Sequence, residues 1–346
     1  MATEQLIPVF DGHNDVLLRL WSSNKPAPEK RFLEGEDVGH IDLPRARRGG
    51  LGGGLCAVYV PSPSHALDSD GNLPTPSQPD AMKATLGMAA VLQNIARKSE
   101  GQVRICRTAA DIRDAFAKGI FASVFHIEGV DAFDESLDAL YVLHAAGLRT
   151  LGPVWSRPNI FAHGIPFRFP SSPDIGPGLT DHGKALIRAC NELKIMIDLS
   201  HMNEKGFWDI AALSDAPLVA SHSNAHTLCQ QSRNLTDRQL DAIRDTGGLV
   251  GLNFGVGFLR EDGRRDPNTD LNELVRHADY IVNRIGIDHL ALGSDFDGTT
   301  ISNRLHSVAD LPRVIETFRA HGYDDASIVK LAHGNWINVL ERTWGA

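Results

Sequence analysis

At 346 residues, with 42% hydrophobic and 22% charged side chains, the chain has the length and make-up of one α/β barrel with insertions, and general disorder is excluded. Its formal net charge of -9, from 34 Lys and Arg against 43 Asp and Glu, opposes a groove that tracks phosphates, so no nucleic-acid partner is expected. Cys56, Cys106, Cys190 and Cys229 are scattered with no Cys-x-x-Cys spacing, which argues against a zinc ribbon or a disulfide framework.

In chain order, Met1 to Ile7 lacks the basic stretch and apolar segment of a secretion signal, and a cytoplasmic protein is expected. Short β-rich runs then alternate with longer helical patterns. Strands are predicted over 7–11, 55–60, 121–127, 150–155, 195–199, 218–221, 249–254 and 289–293, mostly continuous apolar runs of the kind buried on both faces of a parallel sheet. Apolar residues at helical spacing predict helices over 80–96, 136–146, 179–193, 204–213, 237–245, 271–285, 308–320, 325–333 and 336–342. Eight strands with intervening helices predict an α/β fold, a (β/α)8 TIM-like barrel forming a single domain over 1–346, with a doubly wound open sheet as the alternative. Two connections rich in Gly, Pro and Ser, 61–79 and 159–177, are expected as extended loops at the C-terminal face of the strands. The longest apolar stretch, near 248–259, is too short and glycine-rich to span a bilayer, and no membrane partner is expected.

Barrel enzymes place their reactive groups where the strands end, and polar residues interrupt the apolar runs there. After the first strand come His13 and Asp15; residues i and i+2 of a strand share a side, roughly 6.5 Å apart, so both can converge on one cation. Taken alone, the pair reads equally well as a turn histidine beside a helix N-cap. The third strand ends in His126 and Glu128, the fifth in His201, the sixth in His222 and the eighth in Asp295. Singly, His201 also reads as a helix cap, Glu128 as the partner of a surface base and Asp295 as a turn residue. Together they put an acid or an imidazole at the same end of five strands, which independent accidents do not do.

Three histidines and three carboxylates exceed what one structural zinc uses. They suit two divalent ions bridged by a carboxylate, and Glu128, central in the strand order, is the natural bridge. Such a site hydrolyses an amide, ester or phosphoester. Imidazole with carboxylate favours Zn2+, with Mn2+, Co2+ and Fe2+ compatible. His126 shares a face with Glu128 and is expected to steady a ligand; Asp297 is expected to brace its turn.

The segments Asp11-Gly12-His13-Asn14-Asp15, Glu128-Gly129, Ser200-His201, Ser221-His222-Ser223, Arg233-Asn234 and Gly293-Ser294-Asp295-Phe296-Asp297-Gly298 together resemble the membrane (renal) dipeptidase family, peptidase family M19, within the amidohydrolase superfamily. The resemblance implies a binuclear-zinc dipeptidase acting on small dipeptides with a free C-terminal carboxylate and accepting a D-residue at that end. It implies one zinc on His13, Asp15 and Glu128, and the other on Glu128, His201 and His222. It makes Asp295 the acid/base that takes a proton from the bridging water and passes it to the leaving amine. Arg233 becomes the holder of the substrate carboxylate, a task that suits a planar guanidinium on a loop. A homodimer is compatible with the family.

There is one departure. Members of that family commonly carry a histidine at the end of strand four, whereas this chain reads Gly152-Pro153-Val154-Trp155-Ser156-Arg157-Pro158-Asn159. Trp155 is the candidate substrate contact there, although an indole N–H donates one hydrogen bond and cannot become charged. Arg157 or His163 on the following loop is the candidate source of the missing positive charge. Two alternatives stay open: a related amidohydrolase acting on a non-peptide amide, ester or lactone, and a binding barrel that keeps metal ligands for stability alone.

Overall fold

Side chains along the strand Phe121–Glu128 alternate between two cores, as the two-residue period of a strand requires. Phe121, Phe125 and Ile127 pack outward among the helices, while Ala122 and Val124 join a separate inner cluster. The next positions on that inner side are His126 and Glu128. Apolar residues thus fill the lower interior of a barrel, and polar ones appear only towards its upper rim.

The computed structural model describes residues 6–345; residues 1–5, on which part of the reading of the N-terminus rests, and Ala346 lie outside them. Among the described residues the strands are β1 Val9–Asn14, β2 Leu51–Tyr59, β3 Val103–Ile105, β4 Phe121–Glu128, β5 Leu148–Gly152, β6 Met196–Ile197, β7 Val219–Ser223, β8 Leu249–Leu252 and β9 Leu290–Leu292. All ladders are parallel. One sheet runs β1-β2-β4-β5-β6 and a second β7-β8-β9. Single bridges join them, Asp198 with Val219 on one side and Asn14 with Phe296 on the other, so the eight long-range partners close into a ring. β3 pairs with residues 121–123 of β4, below the point where β5 takes over that edge from Phe125. The fold is the expected TIM-like barrel, with β3 as an additional strand.

Differences from the sequence reading have local causes. The fourth predicted strand stops at Gly152 rather than 155, because Pro153 offers no N–H to continue the ladder, and Trp155 therefore starts a loop. Helices Pro28–Glu34 and Leu43–Gly49, for which the apolar spacing gave no prediction, carry a proline at their first or second position, where the missing N–H costs nothing. Helix Glu204–Leu213 has its expected bounds, opened by the Asn203 side chain accepting from Gly206 N. None of the described helices is long and apolar enough to cross a membrane.

The barrel floor is closed by Trp336, from the helix Asn335–Trp344. Its ring is fully buried among Phe10, Leu55, Val124, Met196, Val219 and Leu249, and its indole N–H donates to Leu292 O at 2.8 Å. Gly12 makes room for it: a Cβ there would lie 2.3 Å from Trp336 Cζ2. Replacing Trp336 with Ala removes this plug and leaves the Leu292 carbonyl without its donor. The expected loss is about 3–5 kcal/mol of unfolding free energy, read from urea denaturation; a loss below about 1 kcal/mol would show that the floor is not load-sharing with the ring of strands.

Candidate active site

At the upper rim the inward positions of successive strands become a set of donors. On β4 the inner residues after Val124 are His126 and Glu128; after β6 comes Asp198, and after β9 comes Asp295. Strict alternation would turn His222 outward. The β7–β8 register shifts between Ala220 and Ser223, and β1–β2 shifts between Asp11 and Asn14. Such irregularities re-aim side chains at sheet rims, and here they bring His222 and His13 into the interior. Asp295 has a left-handed backbone, φ 61°, a conformation aspartate tolerates better than most residues. Beside it a Cβ on Gly298 would fall 2.0 Å from Asp15 Oδ2 and 2.4 Å from Asp295 Oδ1, so only glycine fits between the two carboxylates.

The five residues expected to bind metal converge. Glu128 Oε1 lies 2.8 Å from His201 Nε2, 3.3 Å from His222 Nε2 and 3.7 Å from His13 Nε2, and His13 Nε2 is 3.3 Å from Asp15 Oδ2. The His13 and His222 rings stack at 3.9 Å. Ligating atoms of His13, Glu128 and His222, of His13, Asp15 and Asp295, and of His13, His126 and Asp198 fall in three groups compact enough to hold a metal ion. All of these side chains are buried.

The residues fit divalent metal on grounds internal to the chain. Buried His13 Nε2 and Glu128 Oε1 have no hydrogen-bond partner, an arrangement that folded proteins otherwise avoid. His201 Nδ1 meets the Ser156 hydroxyl at 2.8 Å and His222 Nδ1 the Ser221 hydroxyl at 2.7 Å; these contacts orient both rings so that their Nε2 atoms face Glu128. Burial, followed for His201 by Arg233 and for His222 by His13, holds both imidazoles well below their ordinary pKa, hence neutral. The carboxylates show a deficit of positive charge. Burial, with Asp15 and Asp295 nearby, pushes Glu128 up to about 8, and burial pushes Asp295 up to about 6. Burial opposes protonation of His13, yet Glu128, Asp15 and Asp295 together lift it to about 10. A cavity that raises acids and protonates an imidazole is one that cations would relieve.

The remaining expected residues line the same cavity, about 460 Å3, whose walls include Asp15, Tyr59, Glu128, Trp155, His201, Arg233 and Asp295. Arg233 is buried; its Nη2 lies 3.1 Å from His201 Nε2 and its Nη1 donates to Ser200 O. Trp155 stands 5.8 Å from the His201 ring and 4.9 Å from Tyr59. His126 sits one layer lower, with Nδ1 2.9 Å from Thr150 Oγ1 and Nε2 3.6 Å from Asp198 Oδ2. Asp297 accepts from Arg19 Nε at 3.0 Å and from His40 N at 2.6 Å.

The loop cations expected to replace the strand-four histidine do not do so. Arg157 is fully buried behind the wall, paired with Asp131 at 2.9 Å and donating to Val60 O at 2.7 Å, and His163 is not among the residues lining the cavity. Sequence reasoning also missed Asn253, which donates to Asp295 Oδ2 at 2.9 Å. Its signal was present: a polar residue interrupting the apolar run at the end of the seventh predicted strand. Tyr59, Phe167 and Phe258 carried no such signal, because aromatic residues in strands and loops read as ordinary packing.

Comparison with known proteins agrees with this geometry. The chain matches the family described as membrane dipeptidase (peptidase family M19) over residues 2–344. It is similar to a solved metallopeptidase from Rhodobacter sphaeroides liganded with a phosphinate mimic of the dipeptide L-Ala-D-Ala, at 50% identity and a TM-score of 0.95, over 98% of this chain and 100% of that one. The solved dipeptidase AC, a metallopeptidase of family M19, is 52% identical with a TM-score of 0.95, over 99% of this chain and 100% of its own. A Klebsiella pneumoniae protein described as an uncharacterised protein in the pqqA 5′ region is 53% identical over 255 residues, 74% of this chain and 94% of its own length. A family match that runs almost end to end, over a barrel whose buried imidazoles and carboxylates suit divalent metal, makes the chain a member of the membrane dipeptidase family, peptidase family M19, and a metallo-dipeptidase.

Proposed function

We propose that the chain is a binuclear-zinc dipeptidase that cleaves dipeptides with a free C-terminal carboxylate, L-Xaa-D-Xaa peptides included. The observation that carries this reading is the approach of three imidazole Nε2 atoms to one Glu128 oxygen, at 2.8, 3.3 and 3.7 Å, beside the separate carboxylate of Asp295. His13, Asp15 and Glu128 would hold one ion, and Glu128, His201 and His222 the other. Two divalent ions bound there supply Lewis acidity towards the amide carbonyl and lower the pKa of water towards neutrality. Acceptance of a D-residue draws support from the Rhodobacter sphaeroides relative, which was solved with a mimic of L-Ala-D-Ala.

The chain's own groups divide the remaining work. Arg233 grips the substrate's terminal carboxylate from within the wall, where desolvation strengthens a bidentate ion pair. Trp155, Phe167 and Phe258 exclude water along the substrate. Asp295, oriented by the Asn253 amide, takes the proton of the attacking water and delivers it to the leaving amine nitrogen.

Three outcomes are expected. Asp295→Asn keeps its metal by elemental analysis while kcat falls by about 10²–10⁴-fold; full activity would remove the proton-transfer role. Asp15→Asn binds one ion per chain in place of two and loses hydrolysis, with the circular dichroism spectrum of the fold retained; a fully active variant with two ions would show that Asp15 is no ligand. Arg233→Met lowers kcat/KM for free dipeptides by about 10²–10³-fold and leaves the corresponding dipeptide amides nearly unchanged. An equal loss on both would favour a neutral amide, ester or lactone as the substrate.

A further inference from the structure

The cavity wall contains two arginines, and the proposed function uses only one. Arg233 lies deep, with its guanidinium carbon 5.8 Å from the centre of the Phe258 ring. Phe258 stacks on Phe167, with centroids 6.2 Å apart and planes 26° apart. The far side of this pair ends at Arg265, whose guanidinium carbon is 5.9 Å from the Phe167 centroid. Arg265 is exposed at the rim of the same cavity. An alternating row of cation, ring, ring and cation therefore runs from the floor of the pocket to its mouth.

Arg265 has no carboxylate partner among the described residues. Of the neighbouring acids, Asp262 is taken by Arg260 at 2.5 Å and faces Arg264 at 3.9 Å. Asp266 accepts from Asn268 N at 2.9 Å. Asp297, across the cavity, is engaged by Arg19 and His40. A guanidinium laid on an aromatic face keeps its in-plane N–H donors free, and those donors match a carboxylate in geometry and charge.

We propose that Arg265 binds an acidic side chain on the C-terminal residue of the dipeptide, so that peptides ending in glutamate or aspartate are preferred substrates. The inference rests on the reading of Arg233 as the holder of the terminal carboxylate. With that group fixed at Arg233, the side chain of the same residue runs along Phe258 and Phe167. Its methylenes lie against the rings and direct its carboxylate towards Arg265, whose long, exposed side chain swings in to complete the ion pair. A neutral side chain of the same shape gains the ring contacts and forgoes the ion pair.

The test is a comparison of kcat/KM for Ala–Glu and its neutral isostere Ala–Gln, with L and D forms of the second residue, on the zinc-loaded wild-type protein and on Arg265→Gln. Because the readout is a ratio, any general damage from the substitution cancels. Wild type is expected to favour Ala–Glu by about fivefold, the scale of a partly exposed ion pair, with the difference in KM. The preference is expected to shrink in about 0.5 M salt and to vanish in Arg265→Gln. A wild-type ratio near one, or a preference that survives Arg265→Gln, overturns the proposal. An Arg265-dependent preference for Glu–Ala over Gln–Ala, without one for Ala–Glu, overturns the placement on the C-terminal residue. If Ala–Ala and all the other peptides go uncleaved, the dipeptidase reading falls and takes this inference with it; cleavage of Ala–Ala without glutamate selectivity removes the inference alone.

Discussion

Closure of the sheet between its first and last strands is the constraint on which the site depends. The closing hydrogen bonds are made by residues of the site themselves: Asp295 N donates to His13 O at 3.0 Å, and Asp15 N to Phe296 O at 2.9 Å. The ladder is too short there to hold by backbone alone, and a buried side chain completes it. Asp11 accepts from Ser294 N and from the Ser294 hydroxyl, each at 2.7 Å. The opposite seam, between β6 and β7, is built alike. Asp198 accepts from Ser221 N at 2.8 Å and from the Ser200 hydroxyl at 2.8 Å. Each hydrogen bond to a charged group contributes about 1.5–3 kcal/mol, so one aspartate at each seam stands in for several missing ladder bonds.

This economy ties folding to chemistry. The hydroxyl of Ser221 that donates to Asp198 is the same one that meets His222 Nδ1, and Ser200, which donates to Asp198, also receives His222 N at 2.9 Å. The seam and the orientation of the His222 imidazole are therefore one network. A cost accompanies it: several ionisable groups are buried within one small volume, and burial alone opposes their charged forms. The layering of the interior contains that cost. Apolar side chains around Trp336 fill the floor, hydroxyls and aspartates form the middle layer, and the uncompensated carboxylates and imidazoles are confined to the rim, where divalent ions can neutralise them.

What the sequence disclosed follows from the same layering. Strands buried on both faces read as unbroken apolar runs, so the eight barrel strands were visible, and an acid or imidazole ending such a run stood out against it. His13, Asp15, Glu128, His201, His222 and Asp295 stood out for that reason, and the fold brings them together. Residues that act through loop geometry left no comparable trace. Ser156 touches His201 only because the chain after Pro153 folds back over the rim, and Arg265 reaches the cavity only through stacking on Phe167, which lies nearly a hundred residues earlier in sequence. Short elements were obscure for a different reason: β3 has three residues, and the helices opened by Pro28 and Pro44 carry a residue more often seen in turns.

The loops explain how the site can lack the family's usual strand-four histidine and still be ordered. Arg157 follows Trp155 by two residues, yet its charge faces away from the substrate, neutralised by Asp131 and capped by Val60 O. Its guanidinium carbon lies 5.3 Å from the Trp155 ring centre and 5.7 Å from that of Tyr59, so a buried cation clamps both aromatic side chains from behind. Losing Arg157 would leave Asp131 buried without its partner, a situation more costly than the pair itself is favourable. The positive charge of this loop is thus committed to holding the wall rigid. The cations that do line the cavity, Arg233 and Arg265, lie instead along the Phe258–Phe167 side. In this chain the strand ends carry the buried imidazoles and carboxylates, and the loops build the aromatic and cationic walls around them.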